Sequence, residues 1–304
     1  MGRRTVLILS GEPSGDAAGA RLAAALRERD PSLRVRAVGG RRLAAAGAEI
    51  LQDIAELSAM GFGEVVRQIP RLWRLAERLK RVIVAERPDC LVPIDYPGFN
   101  LRIARFARGR GVPVVYYIGP QVWAWGAGRL PAIARAVDRM LVVFPFEVEI
   151  YERAGIPVEF VGHPLIDALA TEPSREHARE ALGLPGGTPV LGLVPGSRVQ
   201  EIRRILPVMA EAAGRVRRAR AGVRVVVSVA PDVPRGEYDR VLGARPAGTT
   251  LTERALPEVA AAADVLLVTS GTATLESALA GTPLAVLYRT SPLTWFLGKR
   301  LVKI

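Results

Sequence analysis

Residues 5–30, TVLILSGEPSGDAAGARLAAALRERD, run from an apolar stretch through a turn rich in glycine, proline and acid into an alanine-rich segment. A short continuous apolar run closed by turn residues fits a strand buried on both faces. The segment after it predicts a helix over 16–29. The pattern repeats along the chain. Strands are expected at 5–9, 34–38, 90–94, 113–118, 139–144 and 158–161, then at 190–194, 223–229, 264–269 and 284–288. Helices are expected at 68–86, 199–220 and 272–280, among others.

Such alternation implies parallel sheets covered on both faces. The two sets of elements are separated by a polar, Pro- and Gly-rich stretch around 171–189. The expected fold is therefore α/β: two Rossmann-like lobes, residues 1–170 and 171–304, with a hinge near 165–188 and parallel sheets facing a central cleft.

Composition narrows the function classes. A single cysteine, Cys90, builds no disulfide framework and fits a reducing compartment. The apolar run at 5–9 is too short for a secretory leader, and no run of about 18 apolar residues predicts a membrane span. A cytoplasmic protein is expected. The 42 basic and 30 acidic residues leave a net charge of +12, suited to nucleic acid, an anionic membrane surface or phosphorylated substrates. An Arg-favouring composition explains the same excess. No basic–aromatic nucleic-acid motif supports the first option, and neither a P-loop nor a G-x-G-x-x-G fingerprint occurs.

In open α/β sheets, ligands sit beyond the carboxyl ends of strands. In the second lobe two such turns suit a diphosphate: Gly196, Ser197 and Arg198 after one strand, and Ser270, Gly271 and Thr272 after another. Both open a helix, whose N-terminal N–H groups and dipole favour anions. Arg198 adds a fixed cation, and Glu276, one turn into the second helix, could accept hydrogen bonds from a ribose diol. Each turn also fits an ordinary capped helix start.

The opening loop, residues 10–16, carries Glu12 and Asp16 and would repel a diphosphate; it suits hydroxyl groups, hence a sugar-like acceptor or cleft closure. Asp16 also fits a cap on its own helix. Asp95, at the end of an apolar strand, is placed to act as a general base, with Asn100 as an orienting partner. His163 follows a strand toward the expected cleft and could bridge a phosphate or sugar hydroxyl; a structural role fits equally. Without a Cys/His cluster, no metal and no cofactor are expected. Trp123 and Trp125 could stack on a sugar, line a lipid-facing pocket or belong to the core. Arg67, Arg71, Arg74, Arg78 and Arg81 recur at helical spacing beside Ile69, Leu72, Trp73 and Leu75. That pattern suits either an anionic membrane surface or a core-facing helix with a solvated basic side.

Six stretches together resemble one family, lipid-A-disaccharide synthase, a bacterial glycosyltransferase of GT-B fold. They are SGEPSGD, IDYPGFN, GPQVWAWG, FPFEVEIYERAGIPVEFVGHPL, PGSRVQEIRRILPVM and TSGTATLESALAGTPLAVLYRTSPLTWFLGKRLVKI, in the family's order. The resemblance implies transfer of 2,3-diacylglucosamine from UDP-2,3-diacylglucosamine to 2,3-diacylglucosamine 1-phosphate. The anomeric carbon inverts, giving the β-1,6-linked lipid A disaccharide 1-phosphate and UDP. It further implies Asp95 as base for the acceptor 6-hydroxyl, and Arg198, Thr272 and Glu276 as holders of UDP. With it come a peripheral place on the inner face of the inner membrane and a homodimer in which C-terminal segments are exchanged. Gly98 and Gly119 depart from residues common in the family, an Asp and a Ser. The family also continues beyond KRLVKI, so the chain reads as a truncated member whose activity alone is in question. Two other readings remain at this point: a UDP-sugar 2-epimerase-like enzyme of similar fold, and a non-catalytic binder of anionic surfaces.

Overall fold

The computed structural model describes residues 4–56, 62–124, 126–169, 174–231, 233–243 and 248–290. Contacts divide the chain into two compact units, one ending at Pro164 and the next beginning at Leu165.

The strands of the first unit are β1 (Thr5–Ser10), β2 (Arg34–Gly39), β3 (Glu49–Asp53), β4 (Cys90–Ile94), β5 (Val115–Tyr117), β6 (Arg139–Val142) and β7 (Val158–Phe160). They form one parallel sheet in the order β3-β2-β1-β4-β5-β6-β7. Its helices are α1 (Pro13–Arg29), α2 (Arg41–Ala45), α3 (Phe62–Glu86), α4 (Pro97–Arg108), α5 (Leu130–Ala134) and α6 (Glu147–Arg153). Side chains alternate across a strand, and β1 feeds two cores accordingly. Leu7 and Leu9 join Leu75, Leu79, Ile83 and Ile103 on one face, while Val6 and Ile8 join Val35, Ala37, Val92 and Ile94 on the other.

In the second unit α7 (Pro164–Leu169) and α8 (Arg175–Ala181) precede β8 (Val190–Val194), α9 (Val199–Ala219), β9 (Arg224–Ser228) and α10 (Arg235–Leu242). Then follow β10 (Thr249–Thr252), α11 (Leu256–Ala262), β11 (Val265–Thr269), α12 (Thr272–Leu279) and β12 (Leu284–Leu287). The sheet order is β10-β9-β8-β11-β12, again all parallel. Leu191, Leu193, Val225 and Val227 pack on one face; Val190, Val194, Val226, Leu266 and Val268 pack on the other.

Two strands escape a reading by apolar runs, and both lie at a sheet edge. β3, EILQD, and β10, TTLT, are short and polar because an edge strand is only partly covered. The second sheet thus has five strands among the described residues, where the sequence suggests four. The opening loop is also shorter than expected. Pro13 is the first residue of α1, so only Gly11 and Glu12 link strand to helix. No helix among the described residues is long and apolar enough to cross a membrane. The expectations for Trp125 and for the KRLVKI tail fall outside the described residues, as does the Arg67 side chain.

Two candidate sites at the sheet switch points

Each sheet reverses its winding once: between β1 and β4 in the first unit, and between β8 and β11 in the second. Loops diverge at such a point and leave a crevice at the carboxyl ends of the strands. The sequence-derived candidates fall on four such loops: Glu12 after β1, Asp95 after β4, Gly196–Arg198 after β8, and Ser270–Thr272 after β11.

In the first unit, Asp95 and Tyr96 are consecutive non-glycine residues with φ of 45° and 48°. Tyr96 then serves as N-cap of α4, with Pro97 just inside the helix. Glu12 is the N-cap of α1. Burial raises the Asp95 carboxyl above the ordinary aspartate range, and the Glu12 charge raises it further. Glu12 likewise adds to the effect of burial on the Tyr96 phenol. Two acids and a phenol therefore share one neighbourhood, and burial and the Glu12 charge make Asp95 a stronger base than an exposed aspartate.

Tyr96 is a member that sequence reasoning missed. Its ring lies over Gly11: a Cβ built on Gly11 would fall 2.5 Å from Tyr96 Cδ1 and 2.7 Å from Tyr96 Cβ. The glycine of SGEPSGD is thus a seat for the tyrosine of IDYPGFN.

Asp16 has another task than either of those expected. It is buried, and its carboxylate accepts hydrogen bonds from the N–H groups of Gly40 (2.6 Å), Arg42 (3.1 Å) and Leu43 (3.3 Å). It caps α2 rather than its own helix, and it is spent on structure rather than on a sugar hydroxyl. Asn100 partners Asp95 through the backbone. Its buried amide donates to the carbonyls of Leu9, Ile94 and Asp95, so it orients the Asp95 backbone rather than the carboxylate.

His163 follows β7. Its ring lies 5.6 Å from that of Phe144, and burial, then the Arg21 charge, lower its pKa, which favours the neutral imidazole at pH 7. Phe144 stacks on Phe146 at 5.6 Å, and Phe146 meets Trp123 edge-on at 5.4 Å. Trp123 and Phe146 are 46% and 50% exposed, so this cluster is surface, not core. The buried Glu147 secures it by accepting from the Phe144 N–H at 3.2 Å and from the Trp123 side chain.

α3 buries Leu75, Ala76, Leu79 and Ile83 against the sheet. Its other side exposes Ile69 and Trp73, each 55%, among the exposed Arg71, Arg74, Arg78 and Arg81. A groove of about 760 Å³ runs through these arginines and Trp73, with Gln52 and Glu77 in its wall.

In the second unit, Gly196 sits at φ +113°, a region that L side chains avoid. The turn folds around Glu201, which the sequence reading passed over. Glu201 accepts the Ser197 N–H at 2.9 Å and pairs with the Arg198 guanidinium at 3.0 Å. A Cβ on Gly196 would fall 2.9 Å from Glu201 Cβ, and its Oε2 lies within the same overlap. The signal for Glu201 was an acid three residues past the helix cap, the capping-box spacing. At the other turn, Ser270, Gly271 and Thr272 are exposed, and Gly271 caps α12 with no side-chain acceptor. The start of α12 is thus exposed, with the positive end of the helix dipole at the turn. Glu276 lies half-buried on the same helix. Among the described residues no group of three or more His, Cys, Asp or Glu is arranged to hold a metal ion.

A sequence profile of the lipid-A-disaccharide synthetase family matches residues 6–304. The lipid-A-disaccharide synthase of Geobacter sulfurreducens is 44% identical over 299 residues, covering 98% of this chain and 78% of the relative. The chain belongs to the lipid-A-disaccharide synthase family. The Myxococcus xanthus member is 43% identical with the same coverage. Family membership makes this a glycosyltransferase of lipid A biosynthesis.

Solved structures place the fold. The Staphylococcus aureus MnaA–UDP complex matches with a TM-score of 0.66 at 14% identity, over 99% of this chain and 83% of that one. Neisseria meningitidis UDP-GlcNAc 2-epimerase bound to UDP-GlcNAc scores 0.64 at 14% identity, over 94% and 83%. Acinetobacter baumannii MurG scores 0.54 at 16% identity, over 95% and 79%. At these identities the likeness carries the GT-B architecture of epimerase and MurG alike, and nothing of their chemistry.

Proposed function

We propose that the chain transfers 2,3-diacylglucosamine from UDP-2,3-diacylglucosamine to the 6-hydroxyl of 2,3-diacylglucosamine 1-phosphate, with inversion, giving the lipid A disaccharide 1-phosphate and UDP. The carrying observation is the Asp95 carboxyl: at a strand tip, at the switch point, raised by burial and by Glu12. Such a group takes the proton of an attacking hydroxyl near neutral pH. Glu12 keeps Asp95 basic and presents an acceptor to sugar hydroxyls. His163, held neutral, offers a second hydrogen-bonding group to the same sugar or its phosphate.

On this reading, residues 1–170 receive the acceptor and residues 171–304 the nucleotide. The diphosphate lies against Gly196, Ser197 and Arg198 and against Ser270, Gly271 and Thr272, with Glu276 on the ribose. Once the nucleotide displaces Glu201, the Ser197 N–H and the Arg198 guanidinium join the other turn's N–H groups in stabilising the charge that gathers on departing UDP. The exposed Trp73 and Ile69 among four arginines suit a peripheral, anionic membrane surface on the cytoplasmic side, where both acylated sugars would reside.

The test is disaccharide and UDP formation from both acylated sugars, with chelator present, for the wild-type chain and Asp95→Asn. Transfer needing both sugars and lost in Asp95→Asn supports the reading. Undiminished transfer by Asp95→Asn removes the base. UDP release without acceptor marks an epimerase-like enzyme, and indifference to UDP-sugars marks a binder of anionic surfaces. Sedimentation with phosphatidylglycerol vesicles, weakened by salt and by Trp73→Ala, tests the membrane face; equal binding to phosphatidylcholine would refute it.

A further inference from the structure

Two consecutive non-glycine residues in left-handed backbone geometry are costly, and they persist only where the surroundings over-determine them. At Asp95–Tyr96 the determinants are specific. The Asp95 carbonyl accepts the Tyr116 hydroxyl at 2.6 Å and the Asn100 amide at 2.8 Å, while the Asp95 N–H donates to the Tyr117 carbonyl at 3.3 Å. Asn100 is 1% exposed and Tyr116 0%. The same Asn100 amide reaches the carbonyls of Leu9 (3.2 Å) and Ile94 (3.1 Å), near the last residues of β1 and β4. One buried amide thus gathers carbonyls from both strands that flank the switch point.

We propose that Tyr116 and Asn100 are positioning residues of the transfer reaction, which hold the Asp95 peptide in its left-handed turn and thereby aim the carboxylate. The proposal rests on the reading of Asp95 as the base. Neither residue touches substrate on this account. Tyr116 comes from β5 and Asn100 from α4, so the turn is clamped from two different elements, and the direction of the Asp95 Cα–Cβ bond follows from the clamp. Burial and the nearby Asp95 charge hold the Tyr116 phenol well above its ordinary pKa, which keeps it a donor. A purely structural view, in which the two merely satisfy carbonyls, predicts lost stability and nothing more.

Tyr116→Phe removes one oxygen and keeps the packing; Asn100→Ser, run in parallel, removes the amide. Thr282→Val is the control, because Thr282 donates a buried hydroxyl hydrogen bond to the Ala260 carbonyl at 2.8 Å, the same bond type elsewhere. Rates are expressed per UDP-binding site, so that a partly unfolded preparation does not imitate a slow one. Tyr116→Phe and Asn100→Ser are expected to lower kcat about ten- to a hundredfold, the scale of a misplaced catalytic group. KM for both sugars and the affinity for UDP should stay within about twofold, and Thr282→Val should keep wild-type kcat. Either variant with wild-type kcat removes that residue from the clamp, and equal losses in Thr282→Val reduce the effect to general destabilisation. Asp95→Asn separates the two claims. If it is inactive while Tyr116→Phe and Asn100→Ser are not slowed, the clamp fails and the base stands. If Asp95→Asn is fully active, the base itself fails.

Discussion

Gly11→Ala is the sharpest test of how SGEPSGD serves the site, because it adds a single carbon where the structure has no room. The new Cβ would lie 2.5 Å from Tyr96 Cδ1 and 2.7 Å from Tyr96 Cβ. Carbon atoms rest at about 3.5–4.0 Å, so ring or loop must yield by roughly 1 Å. Gly11 is not among the glycines at positive φ, so the backbone tolerates alanine and the conflict is steric alone. Rotating the Tyr96 ring does not relieve the conflict, since Tyr96 Cβ, which the backbone fixes, is itself within 2.7 Å. Overpacking of this kind costs about 1–3 kcal/mol, and a displacement near 1 Å at a catalytic group costs up to about 10²-fold in rate. Thermal unfolding and kcat for disaccharide formation should both fall. In a Tyr96→Gly background, where the ring is gone and the left-handed position is easier, Gly11→Ala should cost almost no stability. Wild-type kcat and midpoint in the single variant, or an undiminished penalty in the double one, would refute the reasoning.

Four further outcomes follow from the same geometry. As a base, Asp95 must be ionised, so kcat/KM falls as pH drops through its raised pKa; Glu12→Gln removes a repelling charge and should move that acid limb to lower pH. Because the folded pKa of Asp95 lies above its unfolded value, the native state binds the extra proton between them. Its contribution to stability is present at low pH and lost as pH rises through that window, so Asp95→Asn should abolish transfer while raising the unfolding midpoint at neutral pH. Arg198→Ala should weaken UDP binding roughly ten- to a hundredfold by calorimetry, the worth of one charged hydrogen-bonding group at about 1.5–3 kcal/mol. Asp16→Ala should destabilise by about 1–3 kcal/mol, as the cap on α2 is lost, yet leave kcat per folded molecule unchanged.

The chain states its fold most clearly where strands are buried on both faces. TVLILS and VLGLV are recognisable alone, since a doubly covered strand must be apolar along its length. EILQD and TTLT carry no such mark, because an edge needs cover on fewer sides and its periodicity is diluted by polar residues. The switch-point loops were legible for the same reason as the strands that end in them. What stayed hidden were partnerships between distant segments. Asp16 reaching Gly40, Gly11 receiving Tyr96, and Asn100 gathering carbonyls from two strands are all consequences of parallel pairing. Glu201 was the exception, a local signal three residues past the helix cap at Arg198.

Glu201 gives the turn after β8 a resident counter-ion. An arriving anion meets donors already engaged by a carboxylate that cannot diffuse away, because it is tethered a few residues along the same helix. Such tethering acts like a local concentration in the millimolar range. A monovalent buffer ion offers no more charge than the incumbent and gains little by replacing it; a diphosphate offers more. On the proposed reading, a diphosphate reaches the Ser197 N–H and the Arg198 guanidinium only by displacing Glu201 from them, so the turn trades one negative partner for another as the nucleotide arrives.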